Sequence, residues 1–322
     1  MATLVTLRIA VIGVGHLGKH HARILSTQPG AELVSVVDTN RPRAEEIAAA
    51  NKTQAAFDYR DVIGQVDAVT LAVPTELHHD ISLPLLAAGV HLLVEKPMAR
   101  SIAEADAMID AAADAGVVLA VGHTERFNPA IAAARSFLTD PRFIEVHRLG
   151  TFPERSLDID VVFDLMIHDL DVVLSIVNSD VASLEAVGVP VITNRVDIAN
   201  VRLRFANGCI ANLTASRISR DRVRKIRFFQ PSSYVSIDYA AQKVERWSLE
   251  TGSGAAPSIQ GGEMAVAVEE PLKLELADFA EAIALRRMPR VTGEAGRRAL
   301  ALASEIADRI EIATKTRNHE IN

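Results

Sequence analysis

The chain opens with short apolar runs separated by longer segments whose apolar residues recur at helical spacing. Leu7 to Ile12 is a β-branched run that ends in glycines, and Lys19 to Thr27 continues at helical spacing. The alternation then repeats. Leu33 to Val37 precedes the helical Arg43 to Ala50, and Ala68 to Val73 precedes Ile81 to Ala88. His91 to Val94 precedes the alanine-rich Ser101 to Ala115, and Val117 to Val121 closes the series. Strands alternating with helices predict a parallel sheet with helices on both faces. The strand runs are apolar nearly throughout, as strands buried on both faces are.

The pattern changes after about residue 122. Helices are expected over Pro129 to Leu138 and Asp164 to Val177, with a strand over Phe143 to Gly150 between them. Long β-rich segments then run from Val181 to Leu249. Asn207-Gly208 sits between alternating runs and predicts a hairpin turn. Long neighbouring strands with tight turns mean an antiparallel sheet. Thr251 to Gly262, rich in Gly, Ser and Ala, reads as a mobile loop. Leu272 to Arg286 and Gly296 to Thr314 read as closing helices. The expected fold is therefore α/β. Residues 1–122 form a doubly wound Rossmann domain, and residues 123–322 an α+β domain with an open, largely antiparallel sheet. Ligands of such a sheet sit at the carboxyl ends of its parallel strands.

Composition agrees with two globular domains: 322 residues, 49% apolar and 23% charged, exclude disorder as the main state. A single Cys, Cys209, excludes a disulfide within the chain and argues against a zinc site, so no metal is expected. A reducing compartment fits. A net charge of -7 with only 4% aromatics argues against nucleic-acid binding. The N-terminus lacks the features of a signal peptide, and no apolar run is long enough to span a membrane. The expected location is the cytoplasm.

Gly13-Val14-Gly15-His16-Leu17-Gly18 follows the first strand and opens a helix, the context in which this glycine spacing binds a dinucleotide. Gly13 permits the tight turn, Gly15 lets the backbone approach a pyrophosphate, and Gly18 lets helix and strand pack closely. His16 and Leu17 lie within the same cofactor loop. Asp38 ends the second strand, where an acidic side chain accepts hydrogen bonds from the ribose hydroxyls. Its charge repels a 2′-phosphate, so NAD is expected over NADP, although Arg41 and Arg43 could offset that repulsion. A turn or helix-cap role for Asp38 stays open.

Val94-Glu95-Lys96-Pro97, an apolar strand ending in Glu-Lys-Pro, resembles the glucose-fructose oxidoreductase / inositol dehydrogenase / rhizopine catabolism family. Pro74-Thr75-Glu76-Leu77-His78, the Ala87-Ala88-Gly89-Val90-His91 approach and Asp164-Leu165-Met166-Ile167-His168 carry the same resemblance, which covers essentially the whole chain. It implies an NAD(P)-dependent dehydrogenase of sugars, cyclitols or nucleotide sugars. It implies a catalytic Lys96 before a cis peptide to Pro97, with Asp164 and His168 as its partners. Pro74, His78, Glu95 and Lys96 are assigned to the cofactor side. Segments 122–129, 163–171 and 224–229 further resemble the UDP-N-acetylglucosamine 3-dehydrogenase branch. One departure stands out: many members carry Gly-Gly shortly before the Asp, and this chain has Asp158-Ile159-Asp160-Val161-Val162-Phe163.

Oxidising a secondary alcohol needs a base for the hydroxyl proton and an acceptor for the hydride. His168 is taken as the base, being the side chain that titrates near neutrality, with Lys96 as electrostatic partner; the reverse assignment stays open. Asp164 and His168, four apart, share one face of a helix. Asp164 either orients the imidazole, bonds a sugar hydroxyl or caps the helix. His78 and His79 are adjacent and do not converge on a metal. His123 and Arg126 follow the last strand and either face substrate or form a hinge. The basic stretch Arg217 to Lys225 is either a solvated edge, a subunit interface or a diphosphate clamp built on Arg222 and Arg224. The expected activity is NAD-dependent oxidation of a UDP-amino sugar at C3. Inositol or free-sugar dehydrogenase is the alternative within the class, and a non-catalytic dinucleotide sensor the alternative outside it. Long strands rich in Val, Ile and Phe suggest a homodimer or homotetramer formed through the open sheet.

Overall fold

A computed structural model describes residues 6–152, 159–250 and 258–320. The chain divides into two compact units, one holding residues up to 124 with 270–300, the other residues 125–269 with the chain beyond 300.

In the first unit, strands β1 (Leu7–Ile12), β2 (Ala31–Val37), β3 (Gln54–Ala56), β4 (Ala68–Leu71), β5 (His91–Glu95) and β6 (Leu119–Gly122) alternate with helices. The helices are α1 (Gly18–Leu25), α2 (Arg41–Asn51), α3 (His78–Ala87) and α4 (Ile102–Ala115). All strand pairs are parallel, in the order β3-β2-β1-β4-β5-β6. The order reverses between β1 and β4, and ligands of doubly wound sheets bind at that switch point. Local chemistry sets the helix limits. The Asn40 side chain accepts from Arg43 N–H at the start of α2, and Ser101 accepts from Glu104 N–H at the start of α4. Gly116, at φ +66°, ends α4. The three-residue edge strand β3 escapes pattern reading because it is too short to show a period.

In the second unit, α5 (Pro129–Ala134), β7 (Phe143–Leu149) and α6 (Ile167–Ile176) precede seven more strands. These are β8 (Val181–Val189), β9 (Ile198–Phe205), β10 (Ile210–Ser216), β11 (Val223–Gln230), β12 (Ser233–Asp238), β13 (Lys243–Glu250) and β14 (Ser258–Met264). The sheet runs β14-β13-β12-β11-β7-β10-β9-β8 and is antiparallel except where β7 lies parallel to β10. Alternation sends Ile144, Val146, Leu203, Leu213, Phe228 and Ile237 to a buried face. The opposite face leaves Phe229 and Trp247 exposed. Asn207-Gly208 is the β9–β10 turn, with Gly208 at φ +87° and the Asn207 side-chain Oδ1 accepting from Cys209 N–H.

Two expectations need correction. The segment expected as a loop ends in a strand: Ser258–Met264 pairs antiparallel with β13. Gly261 permits this, because a Cβ there would lie 2.0 Å from the Arg246 carbonyl oxygen. Residues 251–257 of that segment lie outside the described residues. The second correction concerns residues 270–300, expected in the C-terminal domain. Here α7 (Pro271–Ala284) puts Leu276, Phe279, Ala280 and Ile283 into the core of Ile9, Val11 and Leu25. The start of α8 (Gly293–Glu320) lies against β6, where a Cβ on Gly296 would meet Val121 at 2.6 Å. The apolar stripe of α7 is legible in sequence, but the sheet it covers is not. Among the described residues, no helix is long and apolar enough to cross a membrane.

Candidate active site

The glycine-rich turn divides its labour. Gly13 has φ +82°, and a Cβ there would lie 2.7 Å from the Ala72 carbonyl oxygen. A Cβ on Gly18 would lie 1.8 Å from the Gly13 carbonyl oxygen. Both are glycine for packing. Gly15 is different: a Cβ there would meet nothing within 4 Å. Its missing side chain leaves an open cradle beside α1, whose start carries no side-chain cap. That is the shape a dinucleotide pyrophosphate requires. His16 and Leu17 are exposed on the same loop.

Asp38 is both a turn residue and a candidate ribose ligand. Its Oδ2 accepts from Val14 N–H at 3.1 Å and its Oδ1 from Asn40 N–H at 2.8 Å. Each carboxylate oxygen keeps a second lone pair for a ribose hydroxyl. Arg43 stands 3.9 Å from Oδ2, whereas Arg41 lies over the Phe57 ring at 3.9 Å.

Pro74 precedes a short 3₁₀ turn, Thr75–Leu77, that leads into α3. His78 is buried, with Nδ1 3.0 Å from the Pro97 carbonyl and Nε2 3.0 Å from the Val73 carbonyl. The ring ties the β4 end to the Glu-Lys-Pro segment. Burial pushes its pKa down, while the two carbonyls favour the doubly protonated ring. Lys96 is half-buried at the end of β5, and the Lys96–Pro97 peptide is cis, as the resemblance implied. Glu95 is the last residue of β5. It is buried, its Oε1 is 3.0 Å from His21 Nε2, and its Oε2 accepts from Lys96 N–H at 3.3 Å. His123 is buried directly after β6.

In the second unit, Asp164 lies on a π-helical turn, Val162–Met166, that runs into α6, where His168 is half-buried. The expectation of one regular helix is corrected: the ladder widens where Asp164 sits, a device frequent at functional sites. Asp160 ties the start of this segment, its carbonyl accepting from Asp164 N–H and its carboxylate from Val196 N–H. Asp158 lies outside the described residues.

Under α6 lies a buried charge network that the sequence did not reveal. Arg148, on the inward face of β7, grips Asp169 with two hydrogen bonds of 2.6 and 3.0 Å and Glu125 with two of 3.1 and 3.0 Å. Its guanidinium stands 5.4 Å from the Tyr239 ring. Burial lowers the Arg148 pKa, but Asp169 and Glu125 lift it well above the ordinary value. Burial raises Asp169, against the pull of Arg148. Burial pushes Asp171 up to about 7 although Arg126 binds it at 3.2 Å. Arg126, expected to face substrate, therefore has its guanidinium engaged by Asp171. The signal available in the sequence was parity: Arg148 shares its strand face with Ile144 and Val146.

The basic stretch comes apart. Arg217 is fully buried, bonded to Asp197 at 2.9 Å and to the Ile159 and Val196 carbonyls. Burial pushes Asp197 up, but the Thr193, Ile192 and Val191 N–H groups and the Thr193 hydroxyl hold its carboxyl well below the usual carboxylate range. Lys225 pairs with Asp238 and Arg227 with Glu145 on the opposite sheet face. Arg222 is exposed, 3.4 Å from Thr151 Oγ1. Arg224 lies opposite Arg148 in the β7–β11 register. Partial burial and the charges of Arg148 and Arg222 lower its pKa. Among the described residues, no hydrogen bond or ion pair engages its guanidinium.

Comparison with known proteins fits this geometry. Residues 7–123 match the model of an oxidoreductase family with an NAD-binding Rossmann fold, and residues 131–230 match the GFO/IDH/MocA C-terminal domain. A UDP-N-acetylglucosamine 3-dehydrogenase of Acidithiobacillus ferrooxidans is 38% identical over 312 residues, 96% of this chain and 98% of the relative. A solved structure of the enzyme of that name and organism has a TM-score of 0.89 at 37% identity, covering 95% of this chain and 98% of its own. A scyllo-inositol 2-dehydrogenase (NAD(+)) of Bacillus subtilis is 28% identical over 306 residues, 89% of each chain.

Proposed function

The chain belongs to the GFO/IDH/MocA family of oxidoreductases with an NAD-binding Rossmann fold, and from that premise we propose that it oxidises the C3 hydroxyl of UDP-N-acetylglucosamine with NAD. The observation that carries the reading is the 38% identity, over nearly the full length of both chains, to a dehydrogenase of that substrate.

The open cradle at Gly15 and the carboxylate of Asp38 hold the dinucleotide. Asp38 favours NAD over NADP by its charge. Bound NAD supplies the hydride acceptor. His168 takes the hydroxyl proton, Lys96 steadies the negative charge on the reacting oxygen, and Asp164 orients the imidazole or an adjacent hydroxyl. The reverse division, with Lys96 as base, uses the same groups. Arg224 and Arg222 suit a diphosphate, since Arg forks pair with phosphate oxygens. Arg217 is excluded from that role by its burial against Asp197.

The 28% match to an inositol dehydrogenase favours a second reading, oxidation of an inositol or free sugar. The exposed Phe229 and Trp247 on the open face of the eight-stranded sheet suit a homodimer or homotetramer contact. A reducing, cytoplasmic setting suits the single, buried Cys209.

The test is a panel of UDP-sugars, free sugars and inositols with NAD and NADP, run on the native protein and on the double variant Arg222→Ala, Arg224→Ala. A clamp loses roughly 1.5–3 kcal/mol per charged hydrogen bond, so KM for the UDP-sugar rises while free-sugar turnover hardly changes. An unchanged ratio of the two activities leaves the nucleotide-sugar reading without its clamp. Turnover of inositol alone replaces that reading with the second.

A further inference from the structure

We propose that His21, on the helix opened by the glycine-rich turn, is the positioning residue for Lys96 and acts through Glu95. The proposal rests on the reading of Lys96 as a reacting group.

Glu95 is a charged residue directly after the buried apolar run Leu92 to Val94, one position before Lys96. A carboxylate placed there needs hydrogen-bond donors, because an unpaired buried charge is strongly destabilising. The structure supplies two. His21, with no exposed surface, approaches Oε1 with Nε2 at 3.0 Å, and the Lys96 N–H reaches Oε2 at 3.3 Å. The room for this comes from Gly122, the partner of Glu95 in the β5–β6 register. A Cβ on Gly122 would lie 3.0 Å from both Cδ and Oε2 of Glu95. The carboxylate is thus folded back across β6, where it can hold the Lys96 backbone.

Among the described residues, Glu95 is the one side chain that the His21 ring meets in a hydrogen bond. Its Nδ1 is buried without a hydrogen-bond partner, and the other buried residues of α1 are Gly18, Ala22, Ile24 and Leu25. For packing alone, an apolar side chain would serve at this position. With Nε2–H donating, one polar chain runs from α1 through Glu95 to the backbone of Lys96. His21 lies three residues after Gly18, so the same helix borders the dinucleotide cradle and fixes the lysine segment. Misplacing a reacting group by about 1 Å can lower turnover on the order of a hundredfold.

The test compares His21→Leu, which keeps bulk and removes the donor, with His21→Gln, whose amide N–H can still donate to Glu95. Amide hydrogen exchange is followed in the NAD-free protein over the peptide containing Lys96. NAD binding is measured by calorimetry, and kcat and KM with UDP-N-acetylglucosamine. His21→Leu is expected to speed exchange at Lys96 by about tenfold, since a hydrogen bond to a charged group is at stake. It is expected to lower kcat at least as much, while NAD affinity and KM move by less than about threefold. His21→Gln should recover most of both losses. Native exchange and native kcat in His21→Leu would overturn the proposal, as would a loss confined to NAD affinity. If His21→Leu does not fold, His21→Leu with Glu95→Gln removes the stranded charge. That pair should fold with kcat still low, and native kcat in it would also overturn the proposal. If the native protein does not turn over UDP-N-acetylglucosamine, the proposed substrate fails, and the exchange comparison still decides the role of His21.

Discussion

The dinucleotide cradle and the floor beneath α6 are built on opposite principles. In the cradle, position is set by backbone and by missing side chains. Gly13 and Gly18 let the chain pack against itself and against Ala72, and Val14 N–H reaches Asp38, 24 residues on. In the floor, position is set by full-length charged side chains taken out of water. Arg148 joins Glu125, 23 residues before it, to Asp169, 21 residues after it, and Arg126 reaches Asp171 across 45 residues. The two regions therefore tolerate different changes. A glycine cradle fails by steric intrusion and loses its ligand. A charged floor fails by losing one partner, which strands the others in low dielectric.

The largest effect is therefore expected in the floor. Arg148→Met keeps most of the volume but leaves Asp169 and Glu125 buried without their cation. A destabilisation of about 3–5 kcal/mol is expected, measured by urea unfolding. A loss below about 1 kcal/mol would mean the floor is no more than a surface ion pair, and the contrast with the cradle would break.

Next come the groups that the two regions support. Lys96→Ala and His168→Ala should each lose about 100-fold or more in kcat, as positioned acid–base groups do. NAD binding by calorimetry should survive both. Near-native turnover in both variants on the true substrate would remove the assigned chemistry while leaving both scaffolds intact.

The same contrast explains what could be seen in the sequence. The glycine turn, Asp38, Glu-Lys-Pro and the Asp164–His168 spacing are local, so a short string of residues carries each. A parallel sheet with helices on both faces followed from the alternation of strands and helices, but its strand order did not. The floor was hidden because its partners are far apart in the chain. Glu125, Arg126, Asp169 and Asp171 all stood inside recognised segments, yet nothing in those segments names Arg148. The basic stretch misled for a related reason. Strand parity and burial send Arg217 inward to Asp197, Lys225 and Arg227 to the open face, and Arg224 to the face of Arg148. Charge along a sequence does not show which side of a strand it serves. Glu95 was assigned to the cofactor side, and the turn of its side chain toward His21 lies against Gly122, a residue on another strand.

Within the cradle, glycines can be set against each other. Gly15→Ala adds a methyl where there is open space, so thermal stability should stay within about 1 kcal/mol. NAD affinity should fall by about tenfold, roughly 1.4 kcal/mol, because the methyl enters the pyrophosphate cradle. Gly18→Ala should do the reverse and fail in folding first, since its methyl would lie 1.8 Å from the Gly13 oxygen. Calorimetric NAD titration beside thermal unfolding separates the two. Equal behaviour of the two variants would mean the cradle is not where the dinucleotide lies.

The smallest effect is expected at Asp38, where a charge is added to a backbone-built site. Asp38→Asn removes the charge and keeps one acceptor oxygen, so either the Val14 or the Asn40 N–H loses its bond. Two unit charges about 4 Å apart in water interact by roughly 1 kcal/mol, so the preference for NAD over NADP should narrow by about fivefold. Arg43, 3.9 Å from the carboxylate, already screens part of that repulsion. Arg43→Ala should therefore widen the preference in the native background and have little effect once Asp38 is Asn. The coupling matters more than either change alone, because it distinguishes electrostatic discrimination from loss of the turn. If Asp38→Asn weakens both dinucleotides equally and Arg43→Ala does nothing in either background, Asp38 serves the turn alone. A native preference for NADP would end the argument from its charge.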